Sequence, residues 1–266
     1  MTNSIPLYNT IGLNYDSTRK ADPYIVSRLA GLLQLNHSDL CLDIACGTGN
    51  YTVALAAMGG RWCGVELSET MIANARYKDH GIDWKIGDAE LLPFDDDCFD
   101  KILCTLAIHH FADLTAVFEE AYRVLRNGRL VIFTSYPEQT ERFWLAEYFP
   151  SAITRSAEQL PARESVIGGL EKAGFNVVAE EHYDVAPDLQ DLFLYAGKHR
   201  PTLYLDSKVR AGISTFASLA SAEEVGSGLL RLEEDIHSGR IEDVITRAEH
   251  AGGDYVFVVA EKMSVA

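Results

Sequence analysis

No apolar run in this chain is long enough to span a bilayer, and the N-terminal segment is polar, with no apolar signal core. These absences predict no membrane span and a soluble, cytoplasmic chain. Basic residues are few: 23 Lys and Arg stand against 39 Asp and Glu, a net charge of −16. No Lys/Arg cluster interrupts that balance, so the sequence excludes a phosphate-backbone partner and predicts no nucleic acid. Cysteines are also sparse. Cys41, Cys46, Cys63, Cys98 and Cys104 are odd in number and show no C-x-x-C spacing. Several fall in predicted strands, which favours reduced core thiols over disulfides and predicts no metal site. Low-complexity segments and internal repeats are absent. The abundant class is apolar, at 47% of residues, which rules out wholesale disorder. The length suits one large domain, or a domain with a lid.

The chain is organised around Leu40-Cys41-Leu42-Asp43-Ile44-Ala45-Cys46-Gly47-Thr48-Gly49 and the helical pattern that follows from Tyr51 to Met58. An apolar run bounded by turn residues reads as a buried strand of a parallel sheet. Gly47 and Gly49 permit a sharp turn and a close approach of ligand to backbone, and a helix N-terminus offers free N–H groups. The next strand, Arg61 to Leu67, closes on Glu66, a carboxylate placed to accept both hydroxyls of a ribose. A nicotinamide-binding turn would carry a third glycine where this chain has Thr52, which disfavours a dehydrogenase.

The D-x-A-C-G-T-G pattern resembles the first motif of the class I S-adenosylmethionine (SAM) dependent methyltransferases. Val65-Glu66-Leu67-Ser68 with Met71 is similar to that family's ribose motif and to the residue beside the adenine. Gly87-Asp88-Ala89-Glu90-Leu91-Leu92-Pro93-Phe94 resembles its G-D-A-x-x-L-P-F motif. Phe99 to Leu103, followed by His109-His110-Phe111, resembles the fourth motif, and Arg123 to Ile132 the helix, turn and fifth strand. The nearest flavour is the ubiquinone/menaquinone type of small-molecule methyltransferase. Arg129 departs from the family, which usually has a second glycine there.

The resemblance implies an α/β, Rossmann-like, doubly wound fold with a mostly parallel seven-stranded sheet and an added helical lid. Strands are predicted near 40–45, 61–66, 82–86, 100–106 and 129–135, with helices between them. Residues 1–39 form an N-terminal helical arm, with a helix from Tyr24 to Leu33 started by Asp22-Pro23. Residues 40–135 are the SAM-binding core, 136–160 a lid segment, and 161–183 a core helix capped by Gly174 followed by a strand. Residues 184–253 are too long for a hairpin and read as a helical lid insertion, with helical patterns at 188–197, 205–220 and 222–237. Residues 254–266 supply the last strand and tail.

The resemblance also assigns site roles. Tyr15 would fold over the cofactor and Arg19 would pair with its carboxylate. Asp43 would orient the glycine loop or meet the cofactor's amino group, with Ala45, Gly47 and Gly49 in the loop itself. Glu66 and Leu67 would hold the ribose, and Asp88 and Ala89 the adenine. Met71 would pack on the adenine or in a helix core, and Leu106 closes the fourth strand. His109 or His110 could take a proton from the acceptor, or serve structurally. Tyr136, Phe143, Trp144 and Tyr148 form an aromatic cluster that is either lid core or the wall of an acceptor pocket. The expected activity is methyl transfer from SAM to O, N or C of a small hydrophobic metabolite. Non-methyl chemistry on SAM and a non-catalytic binding subunit are the alternatives, and the oligomeric state is left open.

Overall fold

The computed structural model describes residues 15–263, so the ends of the expected arm and tail lie outside the described residues. Seven strands form one sheet: β1 (Leu40–Ile44), β2 (Arg61–Glu66), β3 (Asp83–Ile86), β4 (Phe99–Thr105), β5 (Leu125–Thr134), β6 (Asn176–Tyr183) and β7 (Tyr255–Lys262). Their order is β3-β2-β1-β4-β5-β7-β6. The first five strands pair in parallel, and β7 runs antiparallel between β5 and β6. The residue pattern explains the order. β1 and β7 are almost wholly buried apolar runs, as central strands must be, whereas β3 and β6 alternate with exposed residues and take the edges. The chain grows from β1 toward β3, then returns to the other side at β4. That reversal opens a crevice at the C-terminal ends of β1 and β4.

Helices cover both faces. They are α1 (Pro23–Leu33), α2 (Asn50–Ala56), α3 (Glu69–Lys78), α4 (Leu114–Val124), α5 (Pro137–Glu141), α6 (Pro150–Glu158), α7 (Arg163–Ala173), α8 (Ser207–Ala211), α9 (Ala222–Ser238) and α10 (Ile241–Ala248). Asp22, Ser68, Asp113 and Ser221 cap α1, α3, α4 and α9 by accepting backbone N–H groups of the first turn. Gly174 ends α7 at φ +104, a conformation that a β-carbon would strain. One apolar core joins the sheet to α4 and α7 through Val117, Phe118, Val166 and Leu170. The other joins the opposite face to α1 through Ile25, Leu29 and Leu33, and continues into an aromatic lid.

The lid is built from 136–160 and 184–253. Phe143 stacks on Tyr195 with ring centroids 3.8 Å apart, and Gln139 Nε2 donates to the Gly252 and Gly253 carbonyls. The expected helix at 188–197 is only a 3-10 turn, Leu194–Gly197, because the residues before it are drawn out to bond the N-terminal arm. The expected 205–220 helix is broken into α8 and a π-helical turn, Thr215–Leu219, with Gly212 between them. A β-carbon at Gly212 would meet Thr18 Oγ1 at 2.1 Å, so the arm packs straight onto that break. The 222–237 pattern is α9, and α10 follows it without having been expected.

β5 begins at Leu125, earlier than the 129 predicted. Gly128 stays within the strand because any β-carbon there would lie 2.1 Å from the Asp100 carbonyl oxygen. Arg129 bonds Glu261 on β7 (2.8 Å) and the Leu32 carbonyl at the end of α1 (2.9 Å), so it clamps the sheet to the arm's helix. All five cysteines are free thiols. Burial pushes Cys41 and Cys63 up to about 12, which leaves them inert. Among the described residues no helix is long and apolar enough to cross a membrane, and no cluster of three or more His, Cys, Asp or Glu could hold a metal.

Candidate functional site

The crevice at the ends of β1 and β4 holds a cavity of about 440 Å³. Two non-glycine residues at its wall, Ala45 (φ +55) after β1 and Leu106 (φ +53) after β4, adopt left-handed backbone. Each costs about 1–2 kcal/mol, so the surrounding structure must hold them. Leu106 N donates to the Phe133 carbonyl at 2.7 Å, and Cys46 N to the Val65 carbonyl at 3.0 Å, tying both turns to neighbouring strands. Gly47 (φ +56) faces open space, with no atom within 4 Å of where a β-carbon would stand. A ligand can therefore lie against its backbone.

Glu66 ends β2 with its carboxylate already aimed. Gly47 N donates to Oε2 (3.2 Å) and Ser68 N to Oε1 (2.9 Å). Burial raises its pKa, and these backbone donors pull against that rise. Leu67, Met71, Asp88 and Ala89 line the same cavity, as do Arg19, Ala45, Gly47, Leu106 and His110. Met71 is a buried residue of α3 that also lines the cavity.

Two motif residues, one in β1 and one in the glycine loop, are absent from the cavity lining. Asp43 is buried, and its Oδ2 accepts from Thr52 Oγ1 at 2.6 Å. Thr52, which replaces the dehydrogenase glycine, thus braces the strand end against α2. Burial pushes Asp43 up to about 7. Gly49 is required by packing: a β-carbon there would lie 2.3 Å from the Trp84 ring. Gly49 itself is not among the residues lining the cavity; in this loop Ala45, Cys46, Gly47, Thr48 and Asn50 are.

A second, smaller chamber of about 80 Å³ shares Arg19 and Leu106 with the first. His109 lines this chamber and His110 the larger cavity, with their rings 3.9 Å apart. His109 Nδ1 is buried without a hydrogen-bond partner. Burial, and then His110, push the His109 pKa down to about 3. Burial alone takes His110 to about 4, although the residue as a whole keeps exposed surface. Both imidazoles are neutral near pH 7.

A methyltransferase-domain family model matches residues 42–133, the stretch that carries this loop, Glu66 and Asp88. A solved structure described as a candidate methyltransferase from an antibiotic biosynthesis pathway of Anabaena variabilis is 33% identical. The likeness covers 92% of this chain and 99% of that one, with a TM-score of 0.84. The chain belongs to the SAM-dependent methyltransferase family. Shorter matches run to the malonyl-[acyl-carrier protein] O-methyltransferase of Yersinia pestis, 31% identical over 47% of each chain. Another is the demethylmenaquinone methyltransferase of a Mycobacterium species (strain KMS), 29% identical over 57% of this chain and 68% of that protein. The chain thus aligns with about half of the Yersinia protein's length.

The residues of this methyltransferase fit SAM, the family's cofactor. The cavity sets four carboxylates, Glu66, Asp88, Glu90 and Asp191, against one guanidinium, Arg19. That anionic surplus suits a cationic sulfonium. The open space at Gly47 and the pre-aimed Glu66 suit a backbone-hugging chain and a ribose diol. Arg19, however, is engaged by Asp191 at 2.5 Å. The Tyr15 side chain lies outside the described residues.

The methyltransferase keeps the four expected aromatic acceptor contacts away from both spaces. Phe143, Trp144 and Tyr148 are buried in the lid core, where Trp144 Nε1 donates to the Lys198 carbonyl and Tyr148 donates to Asp235 (2.7 Å). Tyr136 is likewise buried and donates to Glu180. Their hydroxyls and ring N–H are satisfied within the protein, so the pocket-wall alternative is corrected. Two functional residues escaped the sequence reading. Lys78 Nζ bonds Asp16 (2.7 Å), the Thr48 carbonyl and Asn50, latching the arm over the glycine loop. A lone lysine at a helix end gives no signal. Asp191 gave little more: it stands beside Gln190 at the edge of the apolar run Leu192 to Ala196, where a carboxylate is as readily solvated as buried.

Proposed function

We propose that this methyltransferase moves the methyl group of SAM onto a hydroxyl of a small acceptor held in the 80 Å³ chamber. The observation that carries the reading is the shared wall: Arg19 and Leu106 line both spaces, so a group in one abuts a group in the other. Bound SAM supplies a methyl carbon activated by a positively charged sulfur. The chain's own residues have little covalent work to do. They align the acceptor, exclude water and take up a proton. His109 Nδ1, buried and unpaired, accepts a hydrogen bond from the acceptor's O–H. Its depressed pKa keeps it a neutral, weak base, so it orients the hydroxyl and receives the proton only as the new bond forms.

The lining narrows the acceptor. Thr134, Ser135, Thr140, Ser156, Thr215 and Tyr255 bring hydroxyls, and Phe193, Leu194 and Ile213 bring an apolar side. The chamber has no carboxylate, and Arg19 is paired, so a neutral hydrogen-bonding group is favoured over a charged one. This is more polar than the hydrophobic acceptor expected from the sequence. A cavity that holds benzene measures about 150 Å³, so a ring fits only when the lid shifts. The relatives' names supply two acceptor classes to include, an acyl group on a carrier protein and a demethylquinone. The test is a panel of phenols, sugars, acyl carriers and quinones with SAM, read by mass. S-Adenosylhomocysteine with a methylated hydroxyl supports the reading. Methylthioadenosine as by-product, or turnover confined to amines, refutes it.

A further inference from the structure

Asp191 lies in the lid insertion, is 1% exposed, and yet lines the cofactor cavity. Its Oδ1 accepts from Arg19 Nε (2.5 Å), and its Oδ2 accepts from Arg19 Nη2 (3.2 Å) and the Tyr51 hydroxyl (3.1 Å). The loop carrying it is fastened to the arm. Gln190 N donates to Asp22 Oδ2 (3.0 Å) and Leu192 N to the Thr18 carbonyl (3.1 Å). Arm, glycine-loop helix and lid therefore converge on one carboxylate. A buried ion pair stabilises a fold no better than apolar residues of the same volume often would, so stability alone does not account for its place in a cavity wall.

A cation and an anion held side by side at a ligand cavity are complementary to a zwitterion. We propose that Asp191 receives the α-ammonium of the SAM aminocarboxypropyl chain while Arg19 receives its carboxylate. One internal ion pair becomes two across the interface, and the charge of the wall is conserved. The lid insertion thereby reads the amino-acid end of the cofactor, and its loop is held more firmly once the cofactor is in place. This inference rests on the SAM reading of the cavity, and it gives the insertion a cofactor contact that the sequence motifs of residues 40–135 do not contain.

Calorimetric titration tests it with three probes: S-adenosylhomocysteine, its deaminated analogue lacking only the α-amino group, and methylthioadenosine, which lacks the amino-acid chain. Loss of one charged hydrogen-bonded contact corresponds to about 10- to 100-fold in Kd. Wild-type protein should bind the deaminated analogue weaker than S-adenosylhomocysteine by that factor. Asp191→Asn should weaken S-adenosylhomocysteine by a similar factor, leave methylthioadenosine within about threefold, and erase the penalty for deamination. A purely structural Asp191 would lower all three affinities together, and that result overturns the proposal. Equal wild-type affinity for S-adenosylhomocysteine and its deaminated analogue overturns it too, even where Asp191→Asn does not fold. Failure of wild-type protein to bind any of the three refutes the SAM reading itself.

Discussion

Asp43 gives this fold a pH dependence that one substitution should remove. The residue is 1% exposed, with one oxygen held by Thr52 and the other without a partner. Burial, opposed by the Thr52 bond and helped by the charge of Glu66, takes its pKa from 3.8 to about 7. Between those values the native state keeps a proton that the unfolded chain has released, so raising the pH across this window destabilises the protein. The full penalty is present above pH 7 and absent below about pH 4. A shift of this size corresponds to at most about 4 kcal/mol, and relaxation of the site brings the expected figure nearer 2 kcal/mol. Asp43→Asn keeps an oxygen for Thr52 and carries no titrating proton. The difference in unfolding free energy, Asp43→Asn minus wild type, should therefore climb between pH 4 and pH 7 and then level. Any packing change adds only a constant offset. Neutral His109 and His110 impose an opposite slope below their ordinary pKa, but the subtraction cancels it. Urea unfolding at unit pH steps with matched m-values supplies the numbers. A flat difference, or one that falls with pH, refutes the argument that Asp43 is protonated in the native state.

Other perturbations reach the site more directly. Glu66→Ala should weaken S-adenosylhomocysteine by about 100-fold, the worth of two charge-assisted hydrogen bonds discounted for partial exposure; calorimetry showing less than about a threefold change in folded protein contradicts the ribose assignment. His109→Asn should cut kcat about 100-fold with KM little changed. Wild-type kcat should show no histidine limb between pH 5 and pH 8, because its imidazole is already neutral there, and a limb near pH 6.5 that the substitution abolishes would count against this. Gly64→Ala would place a β-carbon 2.5 Å from the Trp84 ring and 2.8 Å from Cys46 Sγ; the expected loss is about 1–3 kcal/mol, visible as a lower Tm, and an unchanged Tm would mean that Trp84 can move aside freely.

The sheet was legible because its signals are redundant. Each of β1, β2 and β4 is an apolar run closed by a chemically marked turn, so period, composition and motif agree at Leu40–Ile44 or Arg61–Glu66. The cofactor cavity inherited that legibility: Ala45, Gly47 and Glu66 stand at such turns, Asp88 just beyond β3, and Met71 in the first turn of α3. The lid was harder for a physical reason. An aromatic residue filling a core and one lining a pocket look the same in sequence, and only the partners of Trp144 and Tyr148 decide between them. Residues 188–193 carry a helical spacing, but their backbone gains more by bonding Thr18 and Asp22 than by bonding itself. Local propensity lost to a distant contact there. Gly49 is ambiguous for a different reason, since a glycine that admits a ligand and a glycine that admits a tryptophan are the same letter.

The lid insertion leaves the sheet after Tyr183 and re-enters it at Tyr255, and these two residues are register partners on adjacent strands. Asp254 N closes the gap by donating to the Tyr183 carbonyl at 2.9 Å. A segment whose ends already touch places almost no demand on the scaffold that carries it, whatever its length. The insertion's share of the proposed acceptor chamber, Phe193, Leu194, Ile213 and Thr215, is therefore an exchangeable part. Another insertion could be seated on the same two residues, with the strand order and the SAM cavity left as they stand, provided that it brings its own carboxylate to Arg19.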